Sequence, residues 1–189
     1  APGTRVYGEL LVDDLHARTS SNPDKYGWQL GWEGAGMIGP RRLSWGGEWT
    51  RLSRYVYTSF FGRTYAAQGL PLGFPDGPDS RRIALRGAVD FGPDWQLLGR
   101  VSQLDQGEND LDEPYVPGSP GVSTGTFAGV VERTRDVQAG LRWWPASGVD
   151  LRALAGYRWV DDFGHVPGAS ERHAHVMLEA HLIRWGAVP

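Results

Sequence analysis

Arg82-Ile83-Ala84-Leu85-Arg86-Gly87-Ala88-Val89-Asp90-Phe91, then Gly92-Pro93-Asp94, then Trp95-Gln96-Leu97-Leu98-Gly99-Arg100-Val101-Ser102, is the stretch from which the fold can be read. Ile83, Leu85, Gly87, Val89 and Phe91 alternate with Ala84, Arg86, Ala88 and Asp90. After the turn, Trp95, Leu97, Gly99 and Val101 alternate with Gln96, Leu98, Arg100 and Ser102. A period of two is that of a β-strand, and two such runs joined by turn-forming residues make a hairpin. Its faces differ, one being apolar while the other carries arginines and an acid.

The same pattern recurs on both sides of the hairpin. Between Thr4 and Leu15, Val6, Gly8, Leu10 and Val12 oppose Tyr7, Glu9, Leu11 and Asp13. Tyr26, Trp28, Leu30 and Trp32 mark a second strand, and Leu43, Trp45, Gly47 and Trp49 a third, which Tyr55-Val56-Tyr57 and Phe60-Phe61 extend. Val137 to Trp143, Val149 to Trp159 and Arg172 to Trp185 complete a set of about eight strands in one domain spanning 1–189. The connections alternate in length: short at Pro40, Pro93 and Pro145, long after the first strand, around Pro75 and around Pro117, and intermediate near Val166. Outer-membrane barrels have this parity, with short periplasmic turns and longer extracellular loops. A soluble sandwich has no reason to keep it, although lipocalin-like barrels partly mimic it.

The predicted fold is therefore all-β, an antiparallel up-and-down transmembrane β-barrel, either complete or part of a larger one. Its outward face would be apolar. Trp45, Trp95, Trp143, Trp144 and Trp185 are expected near the short-turn rim, and Trp28, Tyr57, Tyr157 and Trp159 near the other, as two aromatic girdles. Glu9, Asp13, Gln29, Glu33, Glu48, Arg86, Asp90, Arg100, Arg142, Arg152 and Arg158 are expected to face inward, with acids in the early strands and arginines in the later ones, a distribution that suggests a cross-lumen network.

Composition narrows the function. A net charge of -3 removes the electrostatic case for nucleic acid, and the lack of cysteine removes thiol and zinc-ribbon chemistry. No apolar run reaches the roughly 18 residues of a spanning helix. A mean hydropathy of -0.40 does not weigh against a barrel, whose strands alternate. Ala1-Pro2-Gly3-Thr4 has neither a basic nor an apolar leader segment, which leads to the expectation of a processed chain or a piece of a longer one.

Gln68 to Arg82 is dense in proline and glycine, so a shaped loop is expected there. Within it, Pro71-Leu72-Gly73-Phe74-Pro75-Asp76-Gly77-Pro78-Asp79-Ser80 resembles a loop of the capsule-assembly Wzi family of outer-membrane β-barrels. Gly8-Glu9-Leu10-Leu11-Val12-Asp13-Asp14 resembles a strand of the same family. The resemblance implies a non-enzymatic protein of the bacterial outer membrane. It also implies contact with lipid and lipopolysaccharide, and anchoring of capsular or surface polysaccharide by extracellular loops. The family's barrel is larger and has periplasmic helices, for which no segment here corresponds, so the match is to a carboxyl-terminal part or is local.

Tyr57, Phe60, Tyr65, Phe74 and Tyr115, interleaved with Arg63, Asp76 and Asp79, resemble the aromatic-plus-polar surfaces that stack on sugar rings, and are the candidate ligand-binding residues. The same aromatics would equally serve to pack loops onto a barrel rim. No cofactor, catalytic residue or metal site is expected, and oligomeric state is left open. Gly34-Ala35-Gly36-Met37-Ile38-Gly39 matches a dinucleotide fingerprint in letters only, since a strand and not a helix follows. His173, His175 and His181 fall on one strand face, where lumen polarity competes with metal ligation. Ser170 or Ser123 with His173 and Glu171 would be the elements of a barrel hydrolase, the competing enzyme reading, and a soluble lipocalin-like binder is the third. Asp105, Glu108, Asp110, Asp112 and Glu113 suggest a solvated acidic loop without calcium-loop register.

Overall fold

The computed structural model describes residues 3–15, 22–59, 65–68, 70–116 and 127–182. Eight long strands carry the architecture: β1 (Gly3–Asp14), β2 (Lys25–Ile38), β3 (Arg41–Leu52), β6 (Ser80–Asp90), β7 (Trp95–Gln106), β8 (Glu132–Ala146), β9 (Val149–Asp161) and β10 (Ser170–Leu182). They pair in the order β1-β2-β3-β6-β7-β8-β9-β10, and every pairing is antiparallel. The short β4 (Ala66–Ala67) and β5 (Leu70–Pro71) form a separate ribbon in the β3–β6 connection. Beyond these, the described residues contain one 3-10 turn, Phe163–His165.

The predicted up-and-down order and the parity of the connections are both present. β2–β3, β6–β7 and β8–β9 are joined by tight turns at one end, and the long connections gather at the other. Closure is not: among the described residues β1 pairs only with β2 and β10 only with β9, which leaves two free edges. The third strand also ends earlier than its aromatic content suggests. At Leu52 the chain leaves the ladder, and Arg54 to Tyr57 form a turn.

Register aligns the side chains in rows across the sheet. Val6, Trp32, Gly47, Leu85, Val101, Val137, Tyr157 and Ala174 share one face, while Tyr7, Gly31, Glu48, Ala84, Ser102, Asp136, Arg158 and His173 share the other. The inward set named from the sequence falls on this second, polar face except for Asp13, which sits at the β1 register shift and takes the Tyr57 amide instead. The polar face is concave, because one hollow of about 840 Å³ is lined both by Arg5 of β1 and by Met177 and Glu179 of β10. The convex face is apolar and uncovered: Val6, Leu10, Leu85, Leu97, Val137, Val176 and Leu178 are all exposed, Leu178 to 77%.

A core does exist, but away from the sheet's middle. Leu52, Val56, Tyr57 and Leu111 form the buried cluster, all at the long-loop end. The accessible surface is 12272 Å², whereas a folded water-soluble chain of 20.8 kDa exposes roughly 8,900 Å². Many of the sheet's apolar side chains stay largely exposed, Val6, Leu10, Val176 and Leu178 above all.

Aromatic rings border the convex face. Trp95 and Trp143 stack at 5.1 Å near the short turns, and Trp28–Trp49 and Tyr157–Trp159 meet edge to face towards the other end. Two of the expected girdle members sit elsewhere. Trp144 lies against the Arg142 guanidinium, 4.6 Å from ring centre, because strand alternation turns it to the side opposite Trp143 and beside Arg142. Tyr57 is buried in the loops, and Trp185 lies outside the described residues.

Small residues set how closely side chains lie on the sheet. On the concave face a β-carbon at Gly31 would fall inside the Tyr7 ring, whose hydroxyl donates to Glu48 Oε1 at 2.6 Å. Gly31→Ala is therefore expected to displace Tyr7 and break that bond, lowering stability by about 1 to 2 kcal/mol. Tyr7→Phe should lose only the hydrogen-bond part. Thermal unfolding of both variants in detergent checks the order, and equal losses would show that the ring's seat contributes nothing.

Candidate functional site

The long-loop end is where irregular backbone is most heavily organised. Tyr26 and Ser53 bond twice, Ser53 N donating to the Tyr26 carbonyl at 2.9 Å and Tyr26 N to Ser53 Oγ at 2.9 Å. From Ser53 a relay of backbone bonds continues: Asp79 N donates to the Ser53 carbonyl at 3.1 Å, and Gly107 N to the Asp79 carbonyl at 2.9 Å. Glu108 N then donates to the Ala128 carbonyl at 3.1 Å. Connections far apart in sequence are thereby joined into one cap.

Asp79 is the junction. It is wholly buried, adopts a left-handed backbone (φ 52), and accepts at Oδ2 from the Ala128 amide at 2.8 Å. Burial raises its pKa above the usual carboxylate value. The Ala128 and Asn109 amides and the nearby Arg51 and Arg54 offset that only in part. Asp76 is raised for the same reason, with its pairing to Arg82 opposing.

Tyr57 is the second post. Its φ of 69° is unusual for a bulky residue and costs about 1 to 3 kcal/mol. The ring's burial and three bonds hold it: Tyr57 N donates to Asp13 Oδ2 at 3.2 Å, Tyr65 N to the Tyr57 carbonyl at 2.8 Å, and Phe74 N to Tyr57 Oη at 3.0 Å. That last contact is why position 73 is glycine, since a β-carbon there would occupy the phenol's place.

The structure divides the eight candidate residues by access. Tyr57, Asp79 and Tyr115 are buried, Tyr115 against the Tyr55 ring at 5.6 Å, so they shape the cap from within. Asp76 is occupied by Arg82. Tyr65 is 56% exposed and stacks on Tyr57 at 5.9 Å, and Phe74 is partly exposed against the buried cluster. Phe60 and Arg63 lie outside the described residues. Sequence reasoning missed Ser53, Asn109 and Gly107. The serine and asparagine are loop residues like many others, and what ties them into the cap is a partner more than 20 positions away, Tyr26 for Ser53 and Arg54 for Asn109.

The other motifs resolve locally. Gly34 and Gly36 lie in β2, beneath the Trp45 indole. His173 and His175 project into the concave side, where His175 Nε2 meets Gln138 Nε2 at 3.2 Å and Asp136 at 3.7 Å. Among the described residues no three His, Asp or Glu side chains converge as a ligand set. Ser170 is on the opposite face from His173, so it cannot form a nucleophile–base pair with it, and Ser123 lies outside the described residues. Asp105 does not belong to the acidic loop: it is in β7, almost wholly buried, accepting from Arg81 and from Arg133 at 2.8 Å.

The expected cross-lumen network is instead a set of neighbour pairs. Glu33 meets Arg5 at 3.0 Å and Arg86 at 3.6 Å; Asp136 meets Arg158 at 3.0 Å; Asp150 joins Arg142 at 2.6 Å and Arg152 at 3.2 Å. The fold and site together define a class: an all-β, antiparallel up-and-down, barrel-like sheet with two free edges, a charged concave face, an apolar convex face and one loop-capped end. Comparison with protein-family models, with curated proteins and with solved structures finds no match.

Because the Asp79 pKa is raised by folding, the carboxyl is easier to accommodate protonated. Its contribution to cap stability is full below the ordinary value of 3.8 and is lost as pH rises through the raised folded value. Hydrogen exchange at the Gly107 and Ala128 amides, corrected for intrinsic rates, should show the cap opening more readily at pH 7 than at pH 4. Asp79→Asn should flatten that difference. Gly107→Ala, whose β-carbon would collide with the Asp79 carboxylate, should open the cap at both pH values.

Proposed function

We propose that this chain forms wall and rim of a non-enzymatic outer-membrane β-barrel of the Wzi type, whose long-loop end binds capsular or surface polysaccharide. The observation that carries the membrane part is the reversed polarity of the sheet, apolar and bare on its convex side, charged on its concave side. Along β9 the belt runs from Leu151 to Trp159, about 26 Å of strand and roughly 20 Å of height at a 40° tilt, comparable to the apolar band of outer-membrane barrels. Towards the long-loop end the convex face turns polar, where Arg51, Arg81, Asp105, Arg133 and Asp161 share a row. Headgroup-level charge belongs there in this reading. A barrel in lipid has no open edge, so insertion requires the β1 and β10 edges to be covered.

The glycan part is supported by the cap. Tyr65 offers an exposed ring backed by the buried Tyr57, and Phe74, whose amide bonds the Tyr57 hydroxyl, packs partly exposed against the same buried cluster. A sugar ring could stack on such a platform without ordering it first, which is the advantage of preorganisation. The soluble-binder reading has less support, because such a barrel turns its broad apolar face inward, whereas here Val6, Leu10, Leu85, Leu97, Val176 and Leu178 lie exposed on the convex side.

Leu85→Arg, on the bare convex face, is expected to impair insertion into vesicles far more than Arg152→Leu on the concave face. A cation at the bilayer midplane costs about 2 to 4 kcal/mol on a barrel wall. Heat-modifiable gel migration of refolded protein reads the difference, and equal behaviour would reverse the assignment of faces. For the rim, Tyr65→Ala and Phe74→Ala should each lower polysaccharide retained per inserted barrel about fivefold, as expected for roughly 1 kcal/mol of stacking. Replacing Pro71, Pro75 and Pro78 together by alanine should weaken retention through loop entropy, at about 0.4 to 1 kcal/mol per proline. Undiminished retention in all these variants would remove the glycan reading and leave the membrane one standing.

A further inference from the structure

Two pairs of arginines stand directly opposite each other on the concave face. Arg142 and Arg152 are register partners on β8 and β9, and Arg86 and Arg100 on β6 and β7. Like charges in that position repel, so each pair needs an anion nearby. The first has one. Asp150 accepts from Arg142 Nε at 2.9 Å and Nη2 at 2.6 Å, and from Arg152 Nη2 at 3.2 Å, while Glu179 adds a contact to Arg152 at 3.4 Å.

The second pair is not served in this way. Arg86 reaches over Gly46 towards Glu33, 3.6 Å away, but Glu33 already meets Arg5 at 3.0 Å. Arg100 has no hydrogen-bond or carboxylate partner among the described residues. Its neighbour across β8 is Gln138, and the closest carboxylate in that direction, Asp136, is taken up by Arg158, Gln138 and His175. Arg5, Arg86 and Arg100 thus share one carboxylate in a single row across the sheet. They line the same hollow of about 840 Å³, whose adjoining row, Ala88, Leu98, Leu154 and Met177, is small or apolar.

We infer that the concave face carries an oxyanion-binding site centred on Arg86 and Arg100, which takes a carboxylate or phosphate group of a small solute. Guanidinium groups bind such planar or tetrahedral oxyanions by paired N–H donors, and the partly enclosed hollow strengthens that attraction relative to open water. The apolar row beside the arginines accommodates the uncharged body of the ligand. The site depends on strand register and not on lipid insertion, so it stands apart from the proposed function.

The test is calorimetric titration of the detergent-solubilised full chain with inorganic phosphate and, separately, with glucuronate. Saturable binding of at least one probe is expected, and Arg100→Gln and Arg86→Gln should each weaken it about tenfold or more, the loss of a charge-assisted contact. Arg100→Lys, which keeps the charge but not the paired donors, should lose less. Arg41→Gln, in which the removed guanidinium lies over Phe91 at the short-turn end, should bind as the parent does. Preference for phosphate or for glucuronate identifies the ligand's source. Circular dichroism unchanged in the glutamine variants separates loss of the site from loss of the fold. Binding of neither probe, or equal weakening by Arg41→Gln, would overturn the site.

Discussion

A β-strand turns successive side chains to opposite sides, and among the described residues no second layer packs across the apolar face of the sheet those strands build. Everything else follows from that. In a sandwich, the inner faces of two sheets bury each other, and the hydrophobic effect acts within the molecule. In this chain Val6 and Leu10 of β1, Leu85 of β6, Leu97 of β7 and Val176 and Leu178 of β10 point away from the hollow and remain exposed. The ladder hydrogen bonds and cross-strand contacts hold the strands in register, but the apolar contribution to stability has to come from whatever covers the convex face.

The cap supplies the exception. Its buried cluster is built from loop residues, where backbone polar groups have no ladder to satisfy them. Side chains and relayed backbone bonds take over: Ser53, Asp79 and Gly107 each serve a segment other than their own. That arrangement tolerates a desolvated carboxyl at Asp79 and a strained backbone at Tyr57, because neighbours from separate connections fix both. The result is a rim whose outward rings rest on a buried base.

Charges on the concave face obey a shorter rule than a network spanning the hollow. Each of these carboxylates serves arginines on its own or an adjacent strand, or, for Glu33 and Arg86, across the single intervening strand at Gly46, within one or two rows. Partial exposure to the hollow spares these groups the full desolvation penalty that makes deeply buried pairs unprofitable. It also leaves the balance of charge uneven from row to row, with arginine in excess where Arg5, Arg86 and Arg100 lie side by side.

Strand number, order, parity of connections and the sidedness of Glu9, Arg86, Arg100 and Arg158 were legible in the chain, because a two-residue period and turn chemistry are local properties. The decoy glycines of β2 were legible for the same reason. What local properties cannot carry is contact between distant segments. That Tyr57, Asp79 and Tyr115 are buried posts while Tyr65 is exposed depends on how the connections cross at the cap. That Asp105 belongs to a strand-borne arginine cluster depends on the partners that β6 and β8 bring to it. The open edges of β1 and β10 are of the same kind: alternation specifies which way each side chain points, but closure depends on curvature and stagger summed over the whole sheet.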